Sequence, residues 1–238
     1  MRNYNHFLFY STQATENSVI LDPAQTTHAV KVLRLKQGDH FNVTDGQGSL
    51  LTCSLDGVND GQACGNIIHS EIHNRLASRI HLNIGIPDRE ALETAVADCA
   101  ALGIERITPV ICDFSQDQWW NKSWSKHHER LKNKMIAAMK QSLYPFLPEL
   151  DNPMNLANAL ENSFSKKITA DPEGKSLGTF INTDSFPISC FIGPPGGYSS
   201  DELSLLQTHG SIMVKIAPTR LRTELAAVVL SAQLLSFC

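Results

Sequence analysis

Phe191-Ile192-Gly193-Pro194-Pro195-Gly196-Gly197-Tyr198-Ser199 and Ala217-Pro218-Thr219-Arg220-Leu221-Arg222-Thr223-Glu224 are the two stretches whose reading decides the fold. Each follows a short apolar run, breaks into a tight turn and then starts a helix. This is how an α/β protein presents backbone amides and carbonyls to a ligand. Two such turns close together in sequence point to one bound small molecule. The first turn has neither the G-x-G-x-x-G spacing of a dinucleotide site nor the Lys-Ser/Thr ending of a P-loop. Gly193 with Gly196 or Gly197 permits positive φ or close approach of a ligand, while Pro194 and Pro195 stiffen the turn. Ser199 and Glu202 have the spacing of a capping box. A purely structural strand-to-helix turn accounts for the glycines about as well. In the second turn Glu224 suits the positive end of a helix, and Arg220 and Arg222 do not. An anionic partner or a reacting group explains these arginines better than local stability does. The alternative is a surface arginine pair bonded to neighbouring carboxylates.

Outward from these turns, the second half of the chain alternates strand and helix. Strands are expected over 80–84, 107–111, 167–170, 188–192 and 212–216, and helices over 88–102, 125–143, 156–160, 200–207 and 223–237. Gly103 is the stop of the 88–102 helix, and Pro145 and Pro148 end the 125–143 helix. Trp119, Trp120 and Trp124 fall in a polar loop before the latter. The pattern implies an α/β domain with a mostly parallel sheet covered on both faces. The first third reads differently. Strands are expected over 7–10, 41–44, 49–55 and 66–72, separated by turn signals at Gln37-Gly38-Asp39, Asp45-Gly46-Gln47-Gly48 and Asn59-Asp60-Gly61. A helix capped by Thr26 or Thr27 interrupts them. A small β-barrel or sandwich is the natural closure, with a domain boundary near residues 73–78.

Composition narrows the function. The 238 residues carry a net charge of −4, no apolar stretch long enough to span a bilayer, and an opening without the order of a signal peptide, so a cytoplasmic protein is expected. The six cysteines are scattered with no C-x-x-C pair, which favours buried reduced thiols over a disulfide framework or a zinc site. His69 and His73 sit in a strand-like run without a third ligand in view, and no metal is expected. Between 122 and 140, Lys122, Lys126, Arg130, Lys132, Lys134 and Lys140 face one acid, Glu129. That helix is either an ordinary solvated face or a nucleic-acid-binding surface.

These residues together carry a resemblance. I-G-P-x-G-G-[aromatic]-S-x-x-E at 192–202, followed by R-L-R-T-E-x-A at 220–226, resembles the bacterial 16S ribosomal RNA uridine N3-methyltransferases of the SPOUT class. His28-x-x-x-Val32-Leu33-Arg34, Gly38-Asp39 and Asp45-Gly46 resemble that family's PUA-like RNA-binding domain. Leu102-Gly103-Ile104, Ile107-Thr108-Pro109 and Ala138-Met139-Lys140-Gln141-Ser142-Leu143 fall between them in the family's order.

The resemblance implies an N-terminal PUA-like β-barrel over 1–74 and a SPOUT α/β domain over 75–238 with a C-terminal trefoil knot. It also implies a homodimer, S-adenosyl-methionine (SAM) as cofactor, and methyl transfer to uridine N3 in 16S ribosomal RNA of the small subunit. By carry-over, Ile192, Gly193, Gly196 and Gly197 border the cofactor from the first turn, and Ile216, Ala217, Leu221 and Arg222 from the second. Arg222 and Glu224 are the catalytic candidates, because uracil N3 must lose a proton and its oxygens must hold negative charge. Arg34, Lys126, Arg130, Lys134 and Arg220 are the expected RNA contacts. The chain departs from the family pattern at Pro195 (usually Glu), Ala217 (Gly), Leu225 (Thr), and Asp98 and Ala101 (Lys and Glu). A divergent homologue that binds RNA but methylates weakly, or acts on another RNA, is the second hypothesis.

Overall fold

The computed structural model describes residues 3–75, 79–119 and 123–237; Trp120, Lys122 and Cys238, and residues 76–78 at the expected domain boundary, lie outside the described residues. Two compact units result, one formed by the chain up to Arg75 with Ile136–Leu147, the other by the remainder.

The first unit contains β1 (Asn3–Tyr10), β2 (Ser18–Ile20), α1 (Pro23–Thr27), a π-helical turn over His28–Val32, β3 (His40–Thr44), β4 (Ser49–Asn59) and β5 (Gln62–Ile72). The strands form one sheet in the order β1-β3-β4-β5-β2, antiparallel except where β1 meets β3. Alternation along β3 sends Phe41 and Val43 inward, where they join Phe9, Leu21, Leu51 and Leu55 in one core. Phe9 and Phe41 meet edge to face with centroids 5.5 Å apart. Each such side chain contributes about 1.5–3 kcal/mol by burial.

The short strand β2 was not anticipated, and the helix cap differs from expectation. Neither Thr26 nor Thr27 caps α1. Asp22 accepts the hydrogen bond from the Gln25 amide at 2.8 Å, with Pro23 at the first helical position. Thr26 is buried instead, donating to the Leu21 carbonyl at 3.2 Å and accepting from the Ala63 amide at 2.8 Å. Segment 136–147 is part of this unit's fabric. Thr44 donates to the Pro145 carbonyl at 3.1 Å, the Leu147 amide donates to the Gly46 carbonyl at 2.8 Å, and the Arg75 guanidinium lies 4.9 Å over the Phe146 ring.

The second unit holds β6 (Ile80–Gly85), α2 (Arg89–Ala101), β7 (Arg106–Ile111), the start of α3 (Trp124–Ser142), β8 (Glu149–Leu150), β9 (Met154–Asn155), α4 (Leu156–Glu161), β10 (Lys166–Ser176), β11 (Ile188–Ile192), α5 (Ser200–Thr208), β12 (Ile212–Lys215) and α6 (Thr223–Leu235). Trp124 therefore opens a helix and does not stand in a loop. The sheet is parallel in the order β12-β10-β11-β6-β7-β8, with β9 paired to β7. Every residue of β6 and β11 is buried, as a sheet covered on both faces requires. Phe191 packs with Leu156, Leu160 and Leu206 of α4 and α5. On the opposite face α2 packs against α6, where Cys99 and Ser231 come within 3.8 Å.

Local signals set the helix ends. Asp88 caps α2 through the Ala91 amide at 3.0 Å, and Gly103 follows its end at φ +84°. The cysteines follow the fold: Cys53, Cys99, Cys112 and Cys190 are buried free thiols, and burial pushes Cys53 and Cys99 up to about 12, so they stay protonated at neutral pH. His69 lies in β5, and with His73 it flanks the Glu71 carboxylate at 3.0 and 3.4 Å. No helix among the described residues is long and apolar enough to cross a membrane.

Candidate active site

The carboxyl ends of β6, β11 and β12 lead into the loops around one cleft of about 840 Å³. This is where ligands bind in open parallel sheets, and the volume falls within the range of small-molecule sites. The first turn contributes Ile192, Gly193, Pro194, Pro195, Gly197 and Tyr198 to its wall, and the second contributes Ile216, Ala217 and residues 219–224. Of the residues expected to border a cofactor, all but Gly196 line this cleft. Gly196 lies against Phe114 instead, where a Cβ would come within 2.6 Å of the Phe114 Cβ.

The first turn is closed by the Gly197 amide donating to the Pro194 carbonyl at 2.8 Å, with Gly197 itself at φ +81°. Its exit is fixed by the capping box. The Ser199 amide donates to Glu202 at 2.8 Å and the Glu202 amide donates to Ser199 at 3.3 Å. The buried Glu202 carboxylate also accepts from the Asp113 amide at 2.9 Å, pinning the start of α5 to the loop after β7. The Tyr198 ring lies beneath Gly193. Burial, and behind it Cys112 and Glu202, hold its phenol well above the usual tyrosine range, so it stays neutral.

The second turn is tied to the first. Thr223 donates to the Gly193 carbonyl at 3.0 Å, and Arg220 donates to the Pro195 carbonyl at 3.2 Å. Arg222 is the N-cap residue of α6, and its side chain makes no capping hydrogen bond. Both the missing cap and a cation at this end of a helix work against local stability. Among the described residues no ion pair engages Arg222 or Glu224, so both are available to a ligand in the cleft they line. Ala217 keeps a negative φ, because the only described non-glycine residues at positive φ are Arg34, Asp60 and Leu143. Its methyl group is therefore compatible with the turn.

Asp88, Gln116 and residues 170–172 also line the cleft and were not anticipated. The last three lie at the start of a bulge in β10, where Ala170 and Lys175 both pair with Val214 and the register shifts between them. Gly85 sets how closely the first turn approaches β6. A Cβ there would lie 2.5 Å from both the nitrogen and Cδ of Pro194, so only glycine admits this approach of the first turn to β6.

The expected RNA contacts are dispersed. Arg34 is exposed in the first unit at φ +57°, next to Leu33, which caps the π-helical turn. Lys126 is exposed on α3. Arg130 and Lys134, one turn apart on the same helix, approach the nearly buried Glu93 carboxylate at 2.5 and 3.7 Å, and Arg89 approaches it at 3.7 Å. The hydrogen bond to Glu93 holds the Arg130 guanidinium above its ordinary range.

Comparison with known proteins agrees with this architecture. The family model described as RNA methyltransferase domain matches residues 74–235, and the model described as RNA methyltransferase PUA domain matches residues 21–68. A protein of Aquifex aeolicus named Ribosomal RNA small subunit methyltransferase E is 25% identical across 97% of this chain and 99% of its own length. A relative of the same name from Synechocystis is 27% identical across 93% of this chain and 74% of its own length. A Legionella pneumophila protein described as a methyltransferase, solved in complex with its cofactor SAM, superposes with a TM-score of 0.88 at 26% identity, covering 99% of this chain and 98% of that one. With its family model spanning the parallel-sheet unit and its cleft, and a PUA match on the N-terminal sheet, the chain belongs to the RNA methyltransferase family.

Proposed function

We propose that this protein uses SAM to methylate N3 of a uridine in the 16S ribosomal RNA of the small subunit. The observation that carries the reading is the convergence of the two turns on one cleft, with Arg222 and Glu224 in its wall and neither engaged in an ion pair among the described residues. The names of the relatives and the cofactor in the solved Legionella protein support the choice of substrate and cofactor.

The cleft fits SAM on its own features. Ile192, Ile216, Ala217 and Leu221 offer apolar wall, while the two turns offer backbone groups and a glycine, Gly197, with open space beside its Cα. Gly196 would shape the loop from behind. When bound, SAM supplies a methyl group on a sulfonium centre, an electrophile that needs no metal. The residues of the chain then prepare the nucleophile. Arg222 holds the negative charge that develops on the uracil oxygens as N3 loses its proton, and Glu224 accepts that proton. Because N3 lies on the pairing edge of the base, the uridine must be unpaired to react.

On this reading residues 1–74 form a PUA-like β-barrel that holds RNA, and 75–238 form a SPOUT domain whose last segment is threaded as a trefoil knot. The molecule acts as a homodimer in the cytoplasm. Arg34, Lys126, Arg130, Lys134 and Arg220 position phosphates more than they read bases. The decisive test is methylation of small subunits from cells lacking the gene, followed by nucleoside mass spectrometry. The wild type should yield 3-methyluridine and Arg222→Ala should lose roughly 100-fold in rate. Activity of the variant within a few-fold of wild type removes Arg222 from the chemistry.

One observation favours a second reading, a homologue with a weakened cofactor site. Pro195, in the cleft wall, has no amide hydrogen to donate, and its carbonyl already accepts from Arg220. Calorimetry with SAM separates the two readings, since no detectable binding would favour the second.

A further inference from the structure

Next to the cofactor cleft lies a smaller pocket of about 270 Å³, lined by Asp88, Arg89, Glu90, Trp119 and His127. Asp88 borders both, so the two spaces are neighbours. Trp119 is held by its indole N–H, which donates to the Pro87 carbonyl at 2.9 Å, and its ring meets His127 edge to face at 5.0 Å. At the rim of the pocket three cations, Arg89 of its lining with Arg130 and Lys134 of α3, converge on the carboxylate of Glu93, with Glu90 the further acid nearby.

We propose that this pocket receives a nucleobase flanking the methylated uridine. The inference rests on the RNA methyltransferase reading of the adjoining cleft. Three features choose a base over other ligands. An indole held on one side of an open pocket is a stacking platform for a flat ring, and stacking on aromatic side chains is the usual way single-stranded RNA is held. The acids argue against a phosphate inside the pocket. Asp88 is occupied in capping the Ala91 amide, and Glu90 offers a carboxylate acceptor suited to an amino group on a base edge. The phosphates of that nucleotide belong instead outside, on the Arg89, Arg130 and Lys134 side. A target uridine drawn into the cleft must leave its stack, and a neighbouring base held on Trp119 keeps the strand open at the junction.

The test is steady-state methylation of small subunits from cells lacking the gene, with SAM affinity measured in parallel by calorimetry. Trp119→Ala should raise the apparent KM for subunits about tenfold while leaving the SAM dissociation constant within twofold. Trp119→Phe keeps a ring but loses the bond to Pro87, and should restore the KM to within about threefold of wild type. Three results overturn the proposal: an unchanged KM in Trp119→Ala, a Phe variant as impaired as the Ala variant, or a parallel loss of SAM affinity. The second would mean that Trp119 acts through the Pro87 bond. An inactive wild-type protein would be a different failure, sinking the reading of the cleft and this pocket with it.

Discussion

The Thr223 hydroxyl donates to the Gly193 carbonyl at 3.0 Å, so the first residue of α6 is tied to the turn that leaves β11. The bond holds the two halves of the cleft wall in one geometry before any ligand arrives. Thr223→Val keeps the shape and removes the donor. It should cost about 1 kcal/mol of stability and about tenfold in SAM affinity. Thermal unfolding and calorimetry measure the two, and an unchanged SAM affinity would show that the tether does not preorganise the site.

Gly85→Ala tests the approach of the first turn to β6. The added methyl group would sit 2.5 Å from the backbone nitrogen of Pro194, and a stiff proline turn cannot yield as a flexible side chain would. Overpacking of this kind costs about 1–3 kcal/mol. A lower urea midpoint together with lost SAM binding is expected. Retained binding at wild-type affinity would mean that the first turn can move away from β6 without consequence.

Acid stability should depend on His81. Its ring is buried, and the Thr108 hydroxyl lies 2.7 Å from Nε2 while itself donating to Asp151; this chain assigns the proton to Nε2. Burial first, then the charge of Arg106, lower the ring to about 4, against opposing pulls from Asp151 and Glu105. At neutral pH the ring is uncharged, and its 3.8 Å separation from Asp151 is not an ion pair. Because the folded value lies below the unfolded one, the unfolded chain takes up the proton first. Stability from this group is complete above about pH 6.5, falls as pH drops towards 4, and levels off below it, a change of up to about 3 kcal/mol. Urea unfolding of wild type and His81→Gln between pH 7.5 and 4.5 checks this. Parallel pH profiles would exclude His81 as the source.

Arg34 separates stability from binding. At φ +57° an arginine is strained where glycine is not. Arg34→Gly should therefore stabilise the protein or leave it unchanged, within about 1 kcal/mol, while weakening RNA binding and flattening its dependence on salt. A filter-binding salt titration alongside a thermal melt reads both. Unaltered RNA affinity would remove Arg34 from the RNA surface.

What was legible in the sequence was local. The Ser199–Glu202 capping box and the Gly103 stop depend on residues a few positions apart, and the structure has both. The two turns, which the structure brings to one cleft, stood out because glycine, proline and misplaced arginines mark the chain itself. Asp88, Gln116 and residues 170–172 did not, since their place in the cleft arises from strand order and from a bulge in β10. Gly85 gives no local sign of its role, which exists only once Pro194 is packed beside it. Thr26 misled for a related reason: a threonine before a helical run looks like a cap, but the Leu21 carbonyl as acceptor and the Ala63 amide as donor claim its hydroxyl.

Segment 136–147 has a consequence for how this gene can be cut. Thr44, Gly46, Gly48 and Arg75 all find partners in it, although some sixty residues of the other unit's sequence intervene. A fragment ending at Arg75 would lack Phe146, which packs against Gly48 and under Arg75, and would strip the buried Thr44 hydroxyl of its acceptor, the Pro145 carbonyl. The N-terminal unit is thus no portable cassette. Recombination that transplanted it at its apparent border would carry away an unfinished module.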